Sequence, residues 1–157
     1  MPELPEVETV RRGLTPAMEG QVIERLEVNR PDLRFPFPEQ FQARVEGATI
    51  ARMGRRAKFL VSELSTGEAL IMHLGMSGRF TVNSAATADF HHDPGTIPAH
   101  DHVVFHMQNG ATVTYNDPRR FGFMELWPVA DLDRYPRIEH LGPEPLSNHF
   151  NADYLNA

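Results

Sequence analysis

The chain of 157 residues is long enough for one domain with its own hydrophobic core, and its hydrophobic and charged fractions of 41% and 23% are ordinary for a globular protein. It has no cysteine, no apolar run near the ~20 residues that span a bilayer, and no apolar stretch of the signal-peptide kind, so we expect a cytoplasmic protein without disulfides or membrane partners. The net charge of −6 argues against strong non-specific binding to nucleic acid, although clustered arginines allow a local basic face.

The first residues predict a short helix over residues 5–13, because Pro5 suits a first helical turn and Gly13 is a typical stop. Glu3 and Glu6 lie at its N-terminal end, where carboxylates complement the helix dipole. A second interpretation gives them a chemical role. If Met1 is removed, Pro2 becomes a secondary amine, a nucleophile that forms an iminium ion with a sugar or aldehyde carbon. If Met1 is retained, that nitrogen is an amide and cannot react.

Eight apolar, partly alternating segments follow, and they predict β-strands. A second helix is expected at about residues 38–46, and Asn109-Gly110 indicates a hairpin between two of the strands. The sequence thus predicts a mainly β (α+β) fold, an antiparallel eight-stranded sandwich or barrel-like domain flanked by two helices. The predicted strands are residues 21–29, 48–53, 57–64, 68–74, 79–83, 102–108, 111–116 and 122–127.

Two segments lack a strand or helix pattern. Residues 84–101 are predicted to form a long loop, and loops of that length are typically functional or mobile. Residues 135–146 are rich in proline and glycine and resemble a linker, and residues 151–157 start like a helix. We therefore expect an N-terminal domain over residues 1–134, followed over residues 135–157 by a linker and the start of another domain.

Lys58 is the only lysine of the chain and stands beside a predicted strand. A lysine there is typical of a protected sheet edge, and the alternative is a reactive amine. The turn formed by residues 117–122 also has two interpretations. Either it joins two strands with Phe121 packed inward, or it presents Arg119 and Phe121 as exposed side chains that enter a base stack.

Histidines suggest a different class of function, a metalloenzyme on a β-barrel. His100, His102 and His106 have the spacing that places side chains on one face of a strand, and His91 and His92 precede them. Loop and surface histidines are the alternative, favoured by the absence of cysteine and of an H-E-x-x-H motif. We therefore predict no metal site.

Five motifs stand in order along the chain: PELPEVET at residues 2–9, RRAK at 55–58, HLGMSG at 73–78, DPRRFG at 117–122 and LGPEPL at 141–146. Together they resemble bacterial formamidopyrimidine-DNA glycosylase over the whole chain. The resemblance implies a bifunctional DNA glycosylase and AP lyase that excises oxidised purines, 8-oxoguanine and formamidopyrimidines, in base excision repair. The endonuclease VIII branch shares the N-terminal proline but lacks the methionine, arginine and phenylalanine set found here.

The resemblance also implies roles for four catalytic residues. Pro2 would attack C1′ of the damaged nucleoside, displace the base and remain linked to the sugar as a Schiff base. Glu3 would supply the proton that opens the deoxyribose ring, and Glu6 would orient it. Lys58 would contribute to base release and to the following elimination, or bind the adjacent phosphate.

A DNA-binding set follows from the same resemblance. Met76, Arg119 and Phe121 would fill the gap that the extruded lesion leaves, with Arg119 facing the orphaned cytosine. His100 would contact the DNA backbone, and Arg120 completes the set. The expected partner is double-stranded DNA with an oxidised purine or an abasic site, bound by a monomer in the bacterial cytoplasm at the nucleoid.

The family pattern includes a second half that this sequence does not show, with a helix–two-turn–helix module and a four-cysteine zinc finger. No cofactor is therefore expected in this chain, because Zn²⁺ belongs to that finger, as does the arginine of the second elimination. These 157 residues alone are expected to bind damaged DNA poorly and to be weak or inactive. The alternative is a non-catalytic domain that binds DNA or a partner.

Overall fold

The structure is a computed structural model that describes residues 3–83 and 98–139. Its eight strands form two antiparallel four-stranded sheets, which confirms the predicted mainly β fold. None of the described helices combines the length and apolar character that a membrane crossing requires. The helices are α1 (Leu4–Met18), α2 (Phe41–Val45) and α3 (Pro136–Glu139), and the strands are β1 (Ile23–Val28), β2 (Ile50–Arg56), β3 (Phe59–Leu64), β4 (Glu68–His73), β5 (Arg79–Asn83), β6 (Asp101–Met107), β7 (Thr112–Asn116) and β8 (Phe123–Pro128).

One sheet has the strand order β1-β6-β7-β5 and the other the order β2-β3-β4-β8. The main core contains apolar side chains from both sheets together with α1 and α2, and a smaller cluster covers the other face of the second sheet. The sequence of β4 is apolar because both faces of this strand are buried. Leu70 and Met72 belong to the main core, whereas Ala69 and Ile71 belong to the smaller cluster.

Helix α1 is longer than predicted, because it continues through Gly13 to Met18 and contains Pro16. Leu14, Ala17 and Met18 are buried in the main core. Packing of this face outweighs the roughly 1 kcal/mol by which glycine disfavours a helix interior. The predicted end at Gly13 is therefore wrong.

The hairpin at Asn109-Gly110 is confirmed, since it joins the antiparallel strands β6 and β7. Gly110 has a φ of +93°, a conformation that glycine adopts without strain. The Asn109 side chain accepts a 2.9 Å hydrogen bond from the backbone N–H of Ala111 and closes the turn.

Strand register places three connections at one end of the second sheet. Phe59 pairs with His73, and His73 pairs with Phe123. Hence the turn before Phe59, the loop after His73 and the loop before Phe123 leave the sheet side by side. We call them the lysine turn (residues 57–58), the methionine loop (residues 74–78) and the arginine loop (residues 117–122).

Part of the sequence interpretation falls outside the described residues, namely Pro2, most of the long loop and the segment from residue 140 onward. The predicted domain division after residue 134 stays a prediction. Of the predicted linker, Tyr135 is buried against the second sheet, and residues 136–139 form α3.

Candidate active site

Glu3 and Lys58 come together at the start of α1. The backbone carbonyl of Glu3 accepts a 3.1 Å hydrogen bond from the N–H of Val7, so Glu3 begins the helix. Its carboxylate Oε2 lies 3.9 Å from Nζ of Lys58. The lysine turn presents Lys58 because Ala57 adopts a left-handed conformation with φ of +51°. A carboxylate and an ammonium group thus share one site directly after Pro2 in the chain.

Glu6 lies in the first turn of α1, where its backbone N–H donates a 3.0 Å hydrogen bond to the carbonyl of Glu3. Its side chain is exposed. Acidic residues in a first turn favour the helix electrostatically. The helix therefore presents two carboxylates at its N-terminal end, of which Glu3 is the one paired with Lys58.

The methionine loop and the arginine loop bring three exposed side chains together. Met76 is 48% exposed and Phe121 is 44% exposed, which is high for large apolar residues. Arg119 lies between them, with Cζ 5.3 Å from the centroid of the Phe121 ring and Nη1 3.9 Å from Sδ of Met76. The interpretation in which Phe121 packs inward is therefore wrong, because the turn holds its ring out toward solvent.

A buried carboxylate, that of Asp117, holds the two loops. It accepts hydrogen bonds from the Ser77 hydroxyl at 2.7 Å, the Tyr115 hydroxyl at 2.8 Å, and the backbone N–H groups of Arg120 and Gly122 at 3.0 Å each. Burial, the Asp117 charge and this hydrogen bond raise the pKa of Tyr115 well above its usual value, so its hydroxyl stays a donor. Four donors on one carboxylate fix the loops relative to each other.

The methionine loop and the arginine loop are also in close backbone contact, at Gly75 and Gly122. A Cβ on Gly75 would lie 2.4 Å from the backbone nitrogen of Gly122, and Gly75 has a φ of +62°. Arg120 has a φ of +56°, a conformation that costs a residue with a Cβ about 1–3 kcal/mol. The hydrogen bonds of Asp117 offset that strain.

The other two residues of the predicted DNA-binding set lie at the edge of this group. The carbonyl of His100 accepts a 3.1 Å hydrogen bond from the backbone N–H of Asp117, and the His100 side chain is half-buried. Arg120 is exposed, and its Nη1 lies 3.9 Å from Oδ1 of Asp32. Met76, Arg119 and Phe121 therefore form one group, with Arg120 and His100 connected to it through the backbone.

The histidines of β6 have structural partners. Nε2 of His102 donates a 2.7 Å hydrogen bond to the buried carbonyl of Asp117, and burial lowers the pKa of His102. Nε2 of His106 lies 2.6 Å from Oε1 of Glu27. Within residues 3–83 and 98–139, no three His, Cys, Asp or Glu side chains form a group that could hold a metal ion. His91 and His92 lie outside the described residues.

Sequence reasoning missed His73, although it begins one of the five motifs. Its Nδ1 accepts a 3.0 Å hydrogen bond from the N–H of Gly75, and its ring stacks on Phe123 at 5.2 Å. Burial lowers the pKa of His73, and the nearby cations Arg34 and Lys58 lower it further. A neutral His73 therefore accepts the hydrogen bond from the methionine loop and packs its ring between Phe59 of β3 and Phe123 of β8. Asp117, Ser77, Arg55 and Glu8 were missed as well.

The family model for the formamidopyrimidine-DNA glycosylase N-terminal domain matches residues 1–124. The fold and the grouped side chains agree with this class of domain, and the chain belongs to the formamidopyrimidine-DNA glycosylase family. A formamidopyrimidine-DNA glycosylase of Ruegeria pomeroyi is 58% identical over all of this chain and 56% of its own length. One of Azorhizobium caulinodans is 57% identical over 99% of this chain and 54% of its own length.

Solved structures show the same fold. Lactococcus lactis formamidopyrimidine-DNA glycosylase, non-covalently bound to DNA containing an AP site, superposes with a TM-score of 0.74 and 33% identity over 92% of this chain and 52% of that one. A complex of the Lactococcus lactis protein with Fapy-dG DNA gives a TM-score of 0.70 and 32% identity over 85% of this chain and 47% of that one. The chain spans about half the length of the relatives it matches.

Proposed function

We propose that this chain carries the catalytic residues of a bifunctional DNA glycosylase and AP lyase that excises oxidised purines in base excision repair. The observation that carries the proposal is the pairing of Glu3 with Lys58, 3.9 Å apart, directly after Pro2. Exposed Met76, Arg119 and Phe121 lie on the loops at the same end of the sheet as the lysine turn. This combination suits an enzyme that opens a base stack and reacts with the sugar behind it.

The reaction begins with the N-terminal amine. Once Met1 is removed, the Pro2 nitrogen forms a bond to C1′ as the bond from C1′ to the base breaks; the amine loses its N–H proton, and the departing base gains one. Protonation of the ring oxygen by Glu3 opens the sugar and gives the iminium ion. The iminium draws electrons from the C2′–H bond, the C2′ proton passes to solvent water, and the C3′–O bond breaks, so that the phosphate on the 3′ side leaves with the downstream strand.

Lys58 and Glu6 are the charged neighbours that assist proton transfer by Glu3. Lys58 stabilises the Glu3 carboxylate once Glu3 has given up its proton, and its ammonium group is also placed to neutralise a nearby phosphate. Glu6, one turn further along α1, orients Glu3. An ammonium group beside the site lowers the energy of negative charge that develops on the leaving oxygen.

The exposed group supplies the DNA side of the mechanism. Extruding a base costs a few kcal/mol, and Met76, Arg119 and Phe121 fill the gap and recover part of that cost. Arg119 faces the orphaned base with a planar set of donors. Arg120 and His100 contact phosphates, which fixes the position of the duplex without reading its sequence.

The partner is a DNA duplex with an oxidised purine or an abasic site, bound by a monomer in the bacterial cytoplasm at the nucleoid. The relatives of known structure were solved with AP-site and Fapy-dG DNA. We place the catalytic domain in residues 1–134, with residues 135–157 leading to a DNA-gripping domain. The chain contains no cysteine, so the four ligands of a zinc finger would come from sequence beyond these residues.

Borohydride trapping on an abasic-site duplex tests the proposal. The chain has one lysine, so the N-terminus and Lys58 are the only amines that form a Schiff base, and peptide mapping of the adduct distinguishes them. Protein shown by intact mass to lack Met1 should give an adduct on Pro2, and Glu3→Gln should slow its formation. Because the chain alone is expected to bind poorly and react slowly, the assay uses saturating duplex and long incubation. Met1-free protein that gives no adduct even under these conditions would support the non-catalytic alternative and refute the proposal.

A further inference from the structure

We propose that Arg55 is a positioning residue that sets the distance between the N-terminal helix and Lys58. The inference rests on the proposed function, because it concerns the geometry of the same site. Arg55 lies at the end of β2, three residues before Lys58, and its side chain is only 7% exposed. A buried guanidinium is stable only when its donors are paired, so its partners show what it does.

The guanidinium of Arg55 contacts both elements that carry the proposed catalytic groups. Nε donates a 2.9 Å hydrogen bond to Oε1 of Glu8, on α1. Nη1 donates a 3.1 Å hydrogen bond to the carbonyl oxygen of Ala57, the residue directly before Lys58. One rigid, planar group therefore connects the helix that begins at Glu3 with the turn that presents Lys58.

Glu8 is a firm anchor for this link. Its carboxylate also accepts hydrogen bonds from Arg11 at 2.6 Å and from Arg12 at 3.0 Å. The hydrogen bond from Arg11 and those from Arg55 and Arg12 hold the pKa of Glu8 far below its usual range, against the opposing effect of burial. Glu8 thus stays charged at any pH at which the enzyme would work.

The lysine turn needs such support. Ala57 has a φ of +51°, which a residue with a Cβ adopts only when its surroundings require it. The hydrogen bond from Arg55 to the Ala57 carbonyl fixes the orientation of that peptide and hence the direction in which Lys58 leaves the backbone. Without this bond, a more relaxed turn would move Nζ away from Glu3. A misplacement of ~1 Å in a catalytic group typically costs about 100-fold in rate.

Arg11 offers a matched control. Like Arg55 it pairs with Glu8, and its Nη1 donates a 3.3 Å hydrogen bond to the carbonyl of Met53 in β2. It therefore also fastens α1 to the sheet, and within the described part of the chain its hydrogen bonds go to Glu8 and Met53 rather than to the lysine turn. Arg11→Gln should loosen the helix contact, whereas Arg55→Gln should also release the turn.

The first readout is independent of DNA. Lys58 is the only lysine, so ¹³C-lysine labelling of the 157-residue chain places a single ε-methylene signal in the NMR spectrum. We expect Arg55→Gln to shift this signal and to remove its NOE contacts to the Glu3 side chain. Arg11→Gln should leave the chemical shift of this signal unchanged and weaken the NOE contacts less than Arg55→Gln does, because it loosens the helix contact without releasing the turn. Glu8→Gln, which keeps an acceptor oxygen but loses the charge, should fall between them, and it replaces Arg55→Gln if that variant does not fold.

The second readout is the rate of borohydride trapping with Met1-free protein. At saturating abasic-site duplex, Arg55→Gln should lower the rate by about 10- to 100-fold, while the duplex concentration for half-maximal rate changes by no more than about twofold. Arg11→Gln should stay within about twofold in both quantities. A folded Arg55→Gln variant with an unchanged Lys58 signal and an unchanged rate would overturn the proposal. If the unsubstituted chain forms no adduct, the proposed function fails, and the Lys58 signal alone decides whether Arg55 positions the turn.

Discussion

Ser77 and Asp117, forty residues apart in sequence, are joined by a 2.7 Å hydrogen bond from the Ser77 hydroxyl to the buried carboxylate. The Ser77 oxygen in turn accepts a 3.1 Å hydrogen bond from the backbone N–H of Arg119. Ser77 follows Met76 directly in the chain. Its hydroxyl therefore links the methionine loop, next to Met76, to the backbone of Arg119. The hydrogen bonds of Ser77 and Asp117, beneath the exposed side chains, thus fix the position of Met76 relative to Arg119.

Ser77→Ala should therefore destabilise the chain and disorder the exposed group together. Removing one donor from a buried carboxylate costs about 1–3 kcal/mol in the free energy of unfolding, which urea denaturation measures. Ser65→Ala is the matched control, because the Ser65 hydroxyl accepts an exposed hydrogen bond from the backbone N–H of Thr49. This variant should change stability by no more than about 0.5 kcal/mol. Equal losses in the two variants would contradict the role assigned to Asp117.

A methyl group at Gly75 should separate the methionine loop from the arginine loop. Its Cβ would approach the backbone of Phe121 and Gly122 to 2.4 Å, in a φ region that alanine avoids. Gly75→Ala should lose at least about 1–3 kcal/mol of stability from the backbone strain alone. The clash should in addition weaken binding to an abasic-site duplex, measured by fluorescence anisotropy.

Gly13→Ala serves as the control for that change. Gly13 lies inside α1 and is exposed, and an added Cβ there meets no atom within 4 Å. Alanine is the better helix former, so this variant should gain about 0.5–1 kcal/mol. If Gly75→Ala were as harmless as Gly13→Ala, the loops would not be in the contact described.

Stability should fall as the pH drops below about 7, and His102 is one cause. Burial lowers the pKa of His102 in the folded chain, so the unfolded chain takes up the proton first, near its ordinary pKa of about 6.5. The unfolded state then binds more protons, and the free energy of unfolding decreases with decreasing pH across this range. His73, whose pKa is also lowered, acts in the same direction.

Urea denaturation between pH 7.5 and 5.5 measures this effect, and His102→Gln isolates the contribution of His102. The glutamine amide keeps a donor for the Asp117 carbonyl but does not titrate, so the slope of stability against pH should decrease. Glu8 and Glu125 do not interfere, because their pKa values are lowered and their contributions are lost only at more acidic pH. An unchanged slope in His102→Gln would refute the assignment.

The fold could be read from the sequence where one physical pattern dominates. In the strand segments, apolar and polar residues alternate or apolar residues occupy both faces, and Asn109-Gly110 indicates the hairpin. The eight predicted strands therefore lie at nearly their observed positions. The end of α1 could not be read, because Leu14 and Met18 extend the helix by packing on a core that exists only after the chain has folded.

The site could be predicted only in part, because the residues that support it are identified by tertiary contacts. Lys58, Arg119 and Phe121 stand out by residue type, but the residues that hold them look ordinary in sequence. Arg55 and Arg56 are neighbours, yet Arg55 is buried against Glu8, 47 residues away, whereas Arg56 reaches Asp133 at the surface. Only tertiary contacts show which of two neighbouring arginines is buried and which lies at the surface. For Asp117 a local signal does exist, because an aspartate before a proline is typical of a turn.

Residues Val129–Arg134 form 3₁₀ turns after β8. Arg137 should be essential for packing the segment that follows these turns onto the second sheet. Its Nε and Nη2 donate hydrogen bonds of 3.0 and 3.1 Å to the Glu125 carboxylate, and its Cζ lies 3.8 Å from the ring centroid of Phe35. A lysine cannot reproduce the planar pair of donors or the stacking, so Arg137→Lys should lose about 1–2 kcal/mol of stability. Arg134→Lys, at an exposed neighbouring position, should stay within about 0.5 kcal/mol.

Trp127 provides a local measurement of the same change. It is the only tryptophan of the chain, and its ring lies 5.6 Å from that of Tyr135, which is hydrogen-bonded to Glu125. Loosening of the segment around Arg137 should expose the indole, so the fluorescence maximum of Arg137→Lys should move to longer wavelength under native conditions, before global unfolding. A variant that is destabilised without this shift would show that Arg137 acts elsewhere than on the packing of Tyr135.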